Sequence, residues 1–185
     1  MKVVCFGDSN TWGYDPRDFF GGPYDTIWPE LLERKTGWEV SNRGENGREI
    51  PSGNIYLSED TDFLIVMLGT NDLLQGREPS NICRSMEIFL RDLPISRNKI
   101  LLVSPPHMRH GTWVTDPRLT QLSAQMTECF RALALPLGIF FADADRWNIP
   151  IAYDGIHFTE EGHRIFSEEI IQYLTKELDI CCKPD

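Results

Sequence analysis

Ser9 is the first residue of this chain whose position suggests chemistry. It follows the apolar run at residues 3–6, which predicts a short buried strand, and Gly7 ends that run two residues before the serine. A serine just beyond the C-terminal end of a central strand lies at the crevice where open α/β sheets bind ligands. Gly7-Asp8-Ser9 is also ordinary turn chemistry, in which Asp and Ser bond their own backbone. Ser9 is therefore a candidate nucleophile that needs partners elsewhere, and we expect Asp8 to hold its own loop through backbone N–H groups.

His157 is the candidate general base for that serine. A serine hydroxyl is a weak nucleophile near neutral pH, and a neighbouring imidazole removes its proton as the attack proceeds. Asp154, three residues earlier, can reach the other imidazole nitrogen, where it would fix the tautomer and stabilise the imidazolium. The alternative is that Asp154 caps a turn and that His157 is a surface residue. Asp143 and Asp145, which follow an apolar run, are the fallback acids.

Three hydrogen-bond donors are candidates for an oxyanion hole, which an acyl-transfer reaction needs for the charge that develops on the carbonyl oxygen. They are the backbone N–H of Ser9, the backbone N–H of Gly47 and the carboxamide of Asn71. A glycine lets the backbone approach a substrate closely. The alternatives are a simple turn at Gly47 and local side-chain bonding at Asn71. Asp72, which follows Asn71, we interpret as structural.

The order of predicted strands and helices brings these loops to one edge of a sheet. Strands are predicted over residues 3–6, 38–41, 63–68, 100–103 and 139–142, separated by helical segments. Thr26 and Ser80 are predicted helix N-caps, Asp116-Pro117 starts a further helix, and a last helix follows Thr159. This alternation predicts a parallel sheet inside a doubly wound, three-layer α/β/α sandwich. We expect one domain over residues 1–180 and a tail over residues 181–185.

Four blocks of this sequence occur in the order and spacing of a known family. They are Gly7-Asp8-Ser9, Gly47, Gly69-Thr70-Asn71-Asp72 and Asp154-Gly155-Ile156-His157. The chain thereby resembles the SGNH (GDSL-type) hydrolases, and its flanking residues resemble the bacterial arylesterase and acyltransferase branch. The resemblance implies a flavodoxin-like sheet with strand order 2-1-3-4-5 and ester hydrolysis through a covalent acyl-serine, with no metal and no cofactor. It implies that Ser9 is the nucleophile, that His157 is the base and that Asp154 orients the base. It also implies an oxyanion hole formed by Ser9, Gly47 and Asn71.

Two features depart from the pattern of that family. Asn10 stands where the family often has Leu, and the loop before Gly47 also contains Gly44, so the choice of Gly47 rests on the alignment of that loop. We expect Asn10, Trp12 and Trp113 to bind the substrate. Tyr14 and Met108 lie on the same bordering loops and could line an apolar pocket, although ordinary packing explains loop aromatics equally well.

The resulting functional hypothesis is a serine esterase acting on short-chain acyl esters, such as acetylated sugars or aryl and alkyl acetates. An acyltransferase or perhydrolase would use the same residues and differ only in what attacks the acyl-serine. A catalytically idle binding module on the same fold is a third hypothesis, since fold alone does not determine function.

Composition limits the partners and the compartment. The 185 residues carry a net charge of −10, which argues against nucleic acid and against anionic membrane surfaces. No apolar run is long enough for a transmembrane helix, and the first strand leaves no room for a signal peptide. Of the five cysteines, Cys5, Cys83 and Cys129 lie on apolar faces and are expected to be free thiols, and we interpret the Cys181-Cys182 pair as incidental. We therefore expect a reduced, cytoplasmic protein.

Metal binding and self-association are the remaining partner questions. His107, His110 and His163 have no Cys or carboxylate at a ligand spacing nearby, so no metal site is expected. The exposed edge of the sheet and the loop at residues 107–115 are the two candidate surfaces for a homo-oligomer. A small-molecule ester is the expected substrate.

Overall fold

The predicted apolar runs form a sheet of five parallel strands in the order β2-β1-β3-β4-β5. The computed structural model describes residues 1–177. The strands are β1 (Lys2–Gly7), β2 (Glu39–Gly44), β3 (Phe63–Met67), β4 (Ile100–Ser104) and β5 (Phe140–Asp143). The predicted strand order and the three-layer α/β/α architecture are confirmed.

Helices cover both faces of this sheet. They are α1 (Ser9–Trp12), α2 (Trp28–Thr36), α3 (Thr70–Leu74), α4 (Pro79–Asp92), α5 (Arg118–Leu137) and α6 (Glu160–Glu177), with short 3₁₀ turns at Arg97–Lys99 and Ala144–Trp147. None of the helices within residues 1–177 combines the length and the apolarity needed to cross a bilayer.

Two apolar cores form because successive strand residues point to opposite faces of the sheet. On one face, Val4 and Phe6 of β1 pack in the core that includes residues of α4 and α5. On the other face, Val3 and Cys5 belong to the core that contains Trp28 of α2 and Phe166 of α6. All five residues of β3 are buried, as expected for a strand covered on both sides. The central strands thus give a rigid base for the loops at their C-terminal ends.

The predicted starts of α2 and α4 are wrong by one or two residues, and proline explains the difference. Neither Thr26 nor Ser80 is an N-cap, because the capping positions are Ile27 and Glu78, and neither uses its side chain as a cap. Each helix instead has a proline at its first or second position. Proline suits that position because its φ is already helical and its missing N–H would have no partner there.

The second strand is also longer than predicted. β2 pairs with β1 along its whole length, from the Lys2–Glu39 pair to the Gly7–Gly44 pair. Because β2 is an edge strand with exposed residues, its later half is polar and lacks the apolar signal on which the sequence prediction relied.

The expectation that Cys83 and Cys129 are free thiols is wrong. They form a disulfide between α4 and α5, with their Cα atoms 6.0 Å apart, which is within the usual range for such a bond. The two residues are 46 positions apart on facing sides of packed helices, so no local spacing signals the pair. Cys5 is free and buried. Because Cys83 and Cys129 are bonded to each other, they do not support the expectation of a reduced protein. The Cys181-Cys182 pair and the predicted tail lie outside the described residues.

Candidate active site

The loops that follow β1, β2 and β3 and the segment before α6 carry the predicted site residues. Ser9 is the first residue of α1, directly after β1, and Asn71 lies in the first turn of α3, after β3. Ile151 and Phe158 form an antiparallel bridge that closes the segment between them into a tight hairpin. The N–H of Ala152 donates to the carbonyl of His157 at 2.7 Å within this hairpin.

Ser9 and His157 meet although 148 residues separate them. The Oγ of Ser9 is 2.8 Å from Nε2 of His157, and Nδ1 of His157 is 2.6 Å from Oδ2 of Asp154. The exposed fractions of Ser9, His157 and Asp154 are 7%, 3% and 0%. Such a chain of hydroxyl, imidazole and carboxylate is the arrangement that activates a serine for nucleophilic attack.

Asp154 is held ionised by its hydrogen bonds. Its Oδ1 accepts the N–H groups of Ile156 at 2.9 Å and of His157 at 3.0 Å. Burial by itself would raise the pKa of Asp154, but the hydrogen bonds from the side chain and backbone of His157 and from Ile156 outweigh it, so the pKa lies below its ordinary value. A carboxylate can only accept, so Nδ1 of His157 carries the proton and Nε2 is free to accept the hydroxyl hydrogen of Ser9.

The turn between Asp154 and His157 requires a glycine. Gly155 has a φ of +88°, and a Cβ there would lie 2.0 Å from the carbonyl oxygen of Arg109. The N–H of Arg109 donates to the carbonyl of Gly155 at 3.0 Å, and the N–H of Trp113 donates to that of Asp154 at 3.1 Å. The loop at residues 107–115 is thereby joined to the hairpin that carries His157.

The two fallback acids have other partners. Oδ2 of Asp143 accepts a hydrogen bond from Nη2 of Arg131 at 2.6 Å. Asp145 accepts the backbone N–H of His107 at 3.0 Å and lies 3.1 Å from Nδ1 of the same residue. Of the three candidate acids, Asp154 is therefore the one that contacts the imidazole beside Ser9.

The structure gives different surroundings to Gly44, the last residue of β2, and to Gly47 in the loop that follows. A Cβ on Gly44 would lie 2.0 Å from the backbone nitrogen of Trp12, so Gly44 is needed where β2 packs against α1. Gly47 has a φ of +74° and open space around the position of a Cβ. Its N–H makes no hydrogen bond to another residue within the described range 1–177. These observations favour Gly47 over Gly44 as the glycine that can approach a ligand.

Arg48 holds this loop against β1, a role that the sequence did not reveal. Its Nη1 donates to the carbonyl of Gly7 at 3.0 Å, and its guanidinium lies over the ring of Phe6, 4.3 Å from the centroid. Its own carbonyl accepts one N–H of the Asn71 side chain at 3.0 Å, which fixes that carboxamide and leaves its second N–H for another acceptor. An arginine in a polar loop has no local pattern that distinguishes this role from solvent exposure.

Asp8 and Asp72 are structural, as expected from the sequence. Oδ1 of Asp8 accepts the N–H of Asn10 at 3.0 Å and caps α1, and Oδ2 of Asp72 accepts the N–H of Ile50 at 3.1 Å. Asp8 is 1% exposed, and its second carboxylate oxygen finds no partner among residues 1–177. Burial raises the pKa of Asp8 to about 6 from an ordinary value of 3.8.

Asp8→Asn is expected to stabilise the protein above pH 6. The amide keeps the oxygen that caps α1 but removes the cost of burying a charge. Because the pKa of Asp8 is higher in the folded state, the contribution of this group to stability is full below about pH 4 and falls as the pH rises to about 6. Linkage limits the gain at pH 8 to about 3 kcal/mol. Urea unfolding at pH 8 and pH 4 measures it, and a gain that is equal at both values would contradict this account.

The predicted substrate contacts divide into two groups. The rings of Tyr14 and Trp113 lie 4.5 Å and 5.2 Å from the imidazole of His157, and the side chain of Trp113 is 53% exposed. Trp12 is half-buried at the end of α1. Met108, by contrast, is 2% exposed and packs in the core beside α5, which agrees with the alternative of ordinary packing.

Asn10 is buried and is not exposed to the crevice as a substrate-binding residue would be. It is 3% exposed, and its carboxamide is hydrogen-bonded to the backbone of Ile156 and Phe158. This placement corrects the expectation that Asn10 binds the substrate, because the side chain is buried and its carboxamide is bonded to the protein backbone.

The other histidines take part in separate contacts. His107 is paired with Asp145, and His163 is fully buried against the rings of Tyr24 and Phe158. Burial lowers the pKa of His163 to about 3, so this imidazole is neutral at physiological pH. Within residues 1–177 there is no group of three or more His, Cys, Asp or Glu side chains that could hold a metal ion.

Comparisons with known proteins identify the family and the fold of this chain. A family model described as the GDSL-like lipase/acylhydrolase family matches residues 5–165. An aryl esterase from M. smegmatis is 25% identical with a TM-score of 0.76, over 94% of this chain and 97% of that chain. A carbohydrate acetylesterase family member from Sinorhizobium meliloti is 23% identical with a TM-score of 0.78, over 97% and 99%. A lipase/acylhydrolase from Enterococcus faecalis is 18% identical with a TM-score of 0.75, over 100% and 99%. The last two likenesses concern the fold alone, and no curated protein gave a significant match.

Proposed function

The chain belongs to the GDSL-like lipase/acylhydrolase family and is a carboxylic ester hydrolase, and from that premise we propose that it hydrolyses short-chain acyl esters through an acyl-serine at Ser9. The observation that carries the proposal is the continuous contact from Ser9 Oγ to His157 Nε2 and from His157 Nδ1 to Asp154 Oδ2. Each of these three residues presents to the next the atom that the proposed proton transfer uses.

In the proposed acylation, Oγ of Ser9 attacks the ester carbonyl while Nε2 of His157 takes the hydroxyl proton. Asp154 stabilises the imidazolium that forms and keeps the ring oriented. The tetrahedral intermediate collapses, and the imidazolium gives its proton to the leaving alcohol. Water then attacks the acyl-serine with the same imidazole as base, which releases the acid and restores Ser9.

The oxyanion of each tetrahedral intermediate is proposed to bind the N–H groups of Ser9 and Gly47 and the carboxamide of Asn71. Three observations support this set. Ser9 opens α1, where backbone N–H groups lack helical partners, and the N–H of Gly47 is unoccupied within residues 1–177. The bond from Asn71 to the carbonyl of Arg48 orients the amide before substrate arrives. Fixed donors of this kind need no reorganisation during the reaction.

Asn71→Ala is expected to lower kcat by about 10²-fold to 10³-fold, which corresponds to about 3 kcal/mol of transition-state stabilisation. KM should change little, because the donor is needed for the developing charge and not for the neutral ester. Steady-state kinetics with p-nitrophenyl acetate measure both constants. Asn81→Ala, at an exposed position on α4, is the control, and a change in KM alone would contradict the oxyanion assignment.

The proposed substrate is an ester between a short acyl group and an aryl or sugar alcohol. Ser9 and His157 are almost fully buried, which favours a small acyl group at the point of attack. Tyr14 and Trp113 flank the imidazole with their rings, and Trp113 is exposed, so a flat aryl ring or a sugar face could pack against it. Trp12 is a further candidate for this contact. The M. smegmatis neighbour is named an aryl esterase, in agreement with an aryl leaving group.

A substrate panel combined with serine labelling tests this proposal. We expect p-nitrophenyl acetate and acetylated sugars to be hydrolysed faster than esters with acyl chains of eight or more carbons, and a fluorophosphonate to modify Ser9 with loss of fluoride. Added alcohol or hydrogen peroxide that diverts most of the acyl group would favour acyl transfer over hydrolysis. No turnover and no labelling would overturn the proposal and favour the idle binding module.

A further inference from the structure

The side chain of Asn10 connects the nucleophile segment to the segment that carries His157. Its Oδ1 accepts the N–H of Phe158 at 2.8 Å, and its Nδ2 donates to the carbonyl of Ile156 at 3.2 Å. Phe158 and Ile156 are the two neighbours of His157 in the sequence. One buried carboxamide therefore holds the backbone on both sides of the imidazole.

Asn10 is itself fixed in place from the other side. It follows Ser9 directly in α1, and its backbone N–H is bonded to the capping carboxylate of Asp8. Its carbonyl accepts the indole N–H of Trp28 at 3.1 Å, and Trp28 is fully buried. These contacts anchor the residue next to Ser9. The carboxamide of Asn10 therefore fixes the segment around His157 relative to Ser9.

No apolar residue could replace this contact. The site offers one donor, the N–H of Phe158, and one acceptor, the carbonyl of Ile156, and only a carboxamide of this length satisfies both from the position of Asn10. Leucine, which is common at this position in the family that the sequence resembles, has neither atom. Removing the amide would leave two buried backbone groups without that partner and would free the segment to shift.

We propose that Asn10 is a positioning residue that sets the distance and angle between the imidazole of His157 and the hydroxyl of Ser9. This inference rests on the proposed esterase function, because it assigns Asn10 to the alignment of that same pair. The hydrogen bonds of the Asn10 carboxamide go to backbone atoms of Ile156 and Phe158, and not to the hydroxyl of Ser9 or the imidazole of His157. Its effect should appear in the rate of the chemical step, since a small misalignment of catalytic groups slows that step strongly.

The test compares Asn10→Leu with Asn10→Asp and with the control Thr11→Val. Asn10→Leu removes both contacts, whereas Asn10→Asp keeps an acceptor for Phe158 N–H but places an oxygen against the carbonyl of Ile156. Thr11 is the next residue in α1, is fully buried, and has a hydroxyl without a partner within residues 1–177, so valine preserves its shape and removes no contact. Melting curves establish which variants fold.

For p-nitrophenyl acetate, kcat is expected to fall about tenfold to 100-fold in both Asn10 variants, with KM within about twofold and Thr11→Val unchanged. The low-field NMR signal of the His157 Nδ1 proton, recorded without substrate, should shift or broaden in the Asn10 variants only. An unchanged kcat with an unchanged signal, a change confined to KM, or loss of cooperative melting in both variants would overturn the proposal. The NMR signal also separates the two hypotheses, because an inactive wild-type protein would refute the esterase function while the signal still reports on Asn10.

Discussion

Ser9→Ala is expected to abolish ester hydrolysis while the fold survives. The substitution removes one oxygen from the start of α1 and leaves the N-cap bond of Asp8 and the backbone N–H of residue 9 in place. Loss of the nucleophile of a triad lowers kcat on the order of 10⁶-fold, with the residual rate supplied by binding and the oxyanion donors. Hydrolysis of p-nitrophenyl acetate measures the loss, and thermal melting verifies the fold.

Ser167→Ala is the matched control for this experiment. Ser167 lies in α6, is a buried serine as Ser9 is, and has a hydroxyl without a partner within residues 1–177. The control should retain wild-type kcat and fluorophosphonate labelling. Turnover that survives Ser9→Ala, or that falls equally in both variants, would show that another group attacks the ester.

The pairing of Ser9 with His157 was predictable because chemistry restricts the choice of residues. A nucleophilic serine needs a base, and the chain has four histidines, of which one lies three residues after an aspartate. The continuous apolar runs of β1, β3 and β4 carry a strong strand signal, and parallel strands place their C-terminal loops at one edge. Residue type and strand order together thus determined which distant residues meet.

The roles of Asn10 and Arg48 were not predictable for a common physical reason. Each acts through hydrogen bonds to backbone groups that are far away in sequence, and a backbone carbonyl or N–H has no residue type that a pattern could detect. The Cys83–Cys129 disulfide was missed in the same way, since two packed helices bring the sulfur atoms together. The predicted N-caps at Thr26 and Ser80 failed because a proline nearby provided an equally good helix start.

Asp8 and Asp154 are two solvent-inaccessible carboxyls whose pKa values are shifted in opposite directions. Both carboxyls are at most 1% exposed, and burial alone raises the pKa of each. Asp154 receives three N–H donors, including the imidazole, and its pKa falls below the ordinary value. Asp8 has one oxygen without a partner in residues 1–177, and its pKa rises to about 6. The hydrogen bonds to Asp154 therefore outweigh the effect of its burial, and its carboxylate can stabilise the imidazolium that it contacts.

His157→Ala is expected to have the second of the two largest effects, a fall in kcat on the order of 10⁶-fold. Without the imidazole the hydroxyl of Ser9 loses the base to which it is hydrogen-bonded, so fluorophosphonate labelling should be lost as well. Combining His157→Ala with Ser9→Ala should cost little more than either change alone, because the two residues act as a unit and their effects do not add. His110→Ala removes an exposed imidazole and should leave kcat unchanged. Additive losses in the double variant would mean that His157 and Ser9 act in separate steps, and the 2.8 Å contact between them would then have no catalytic meaning.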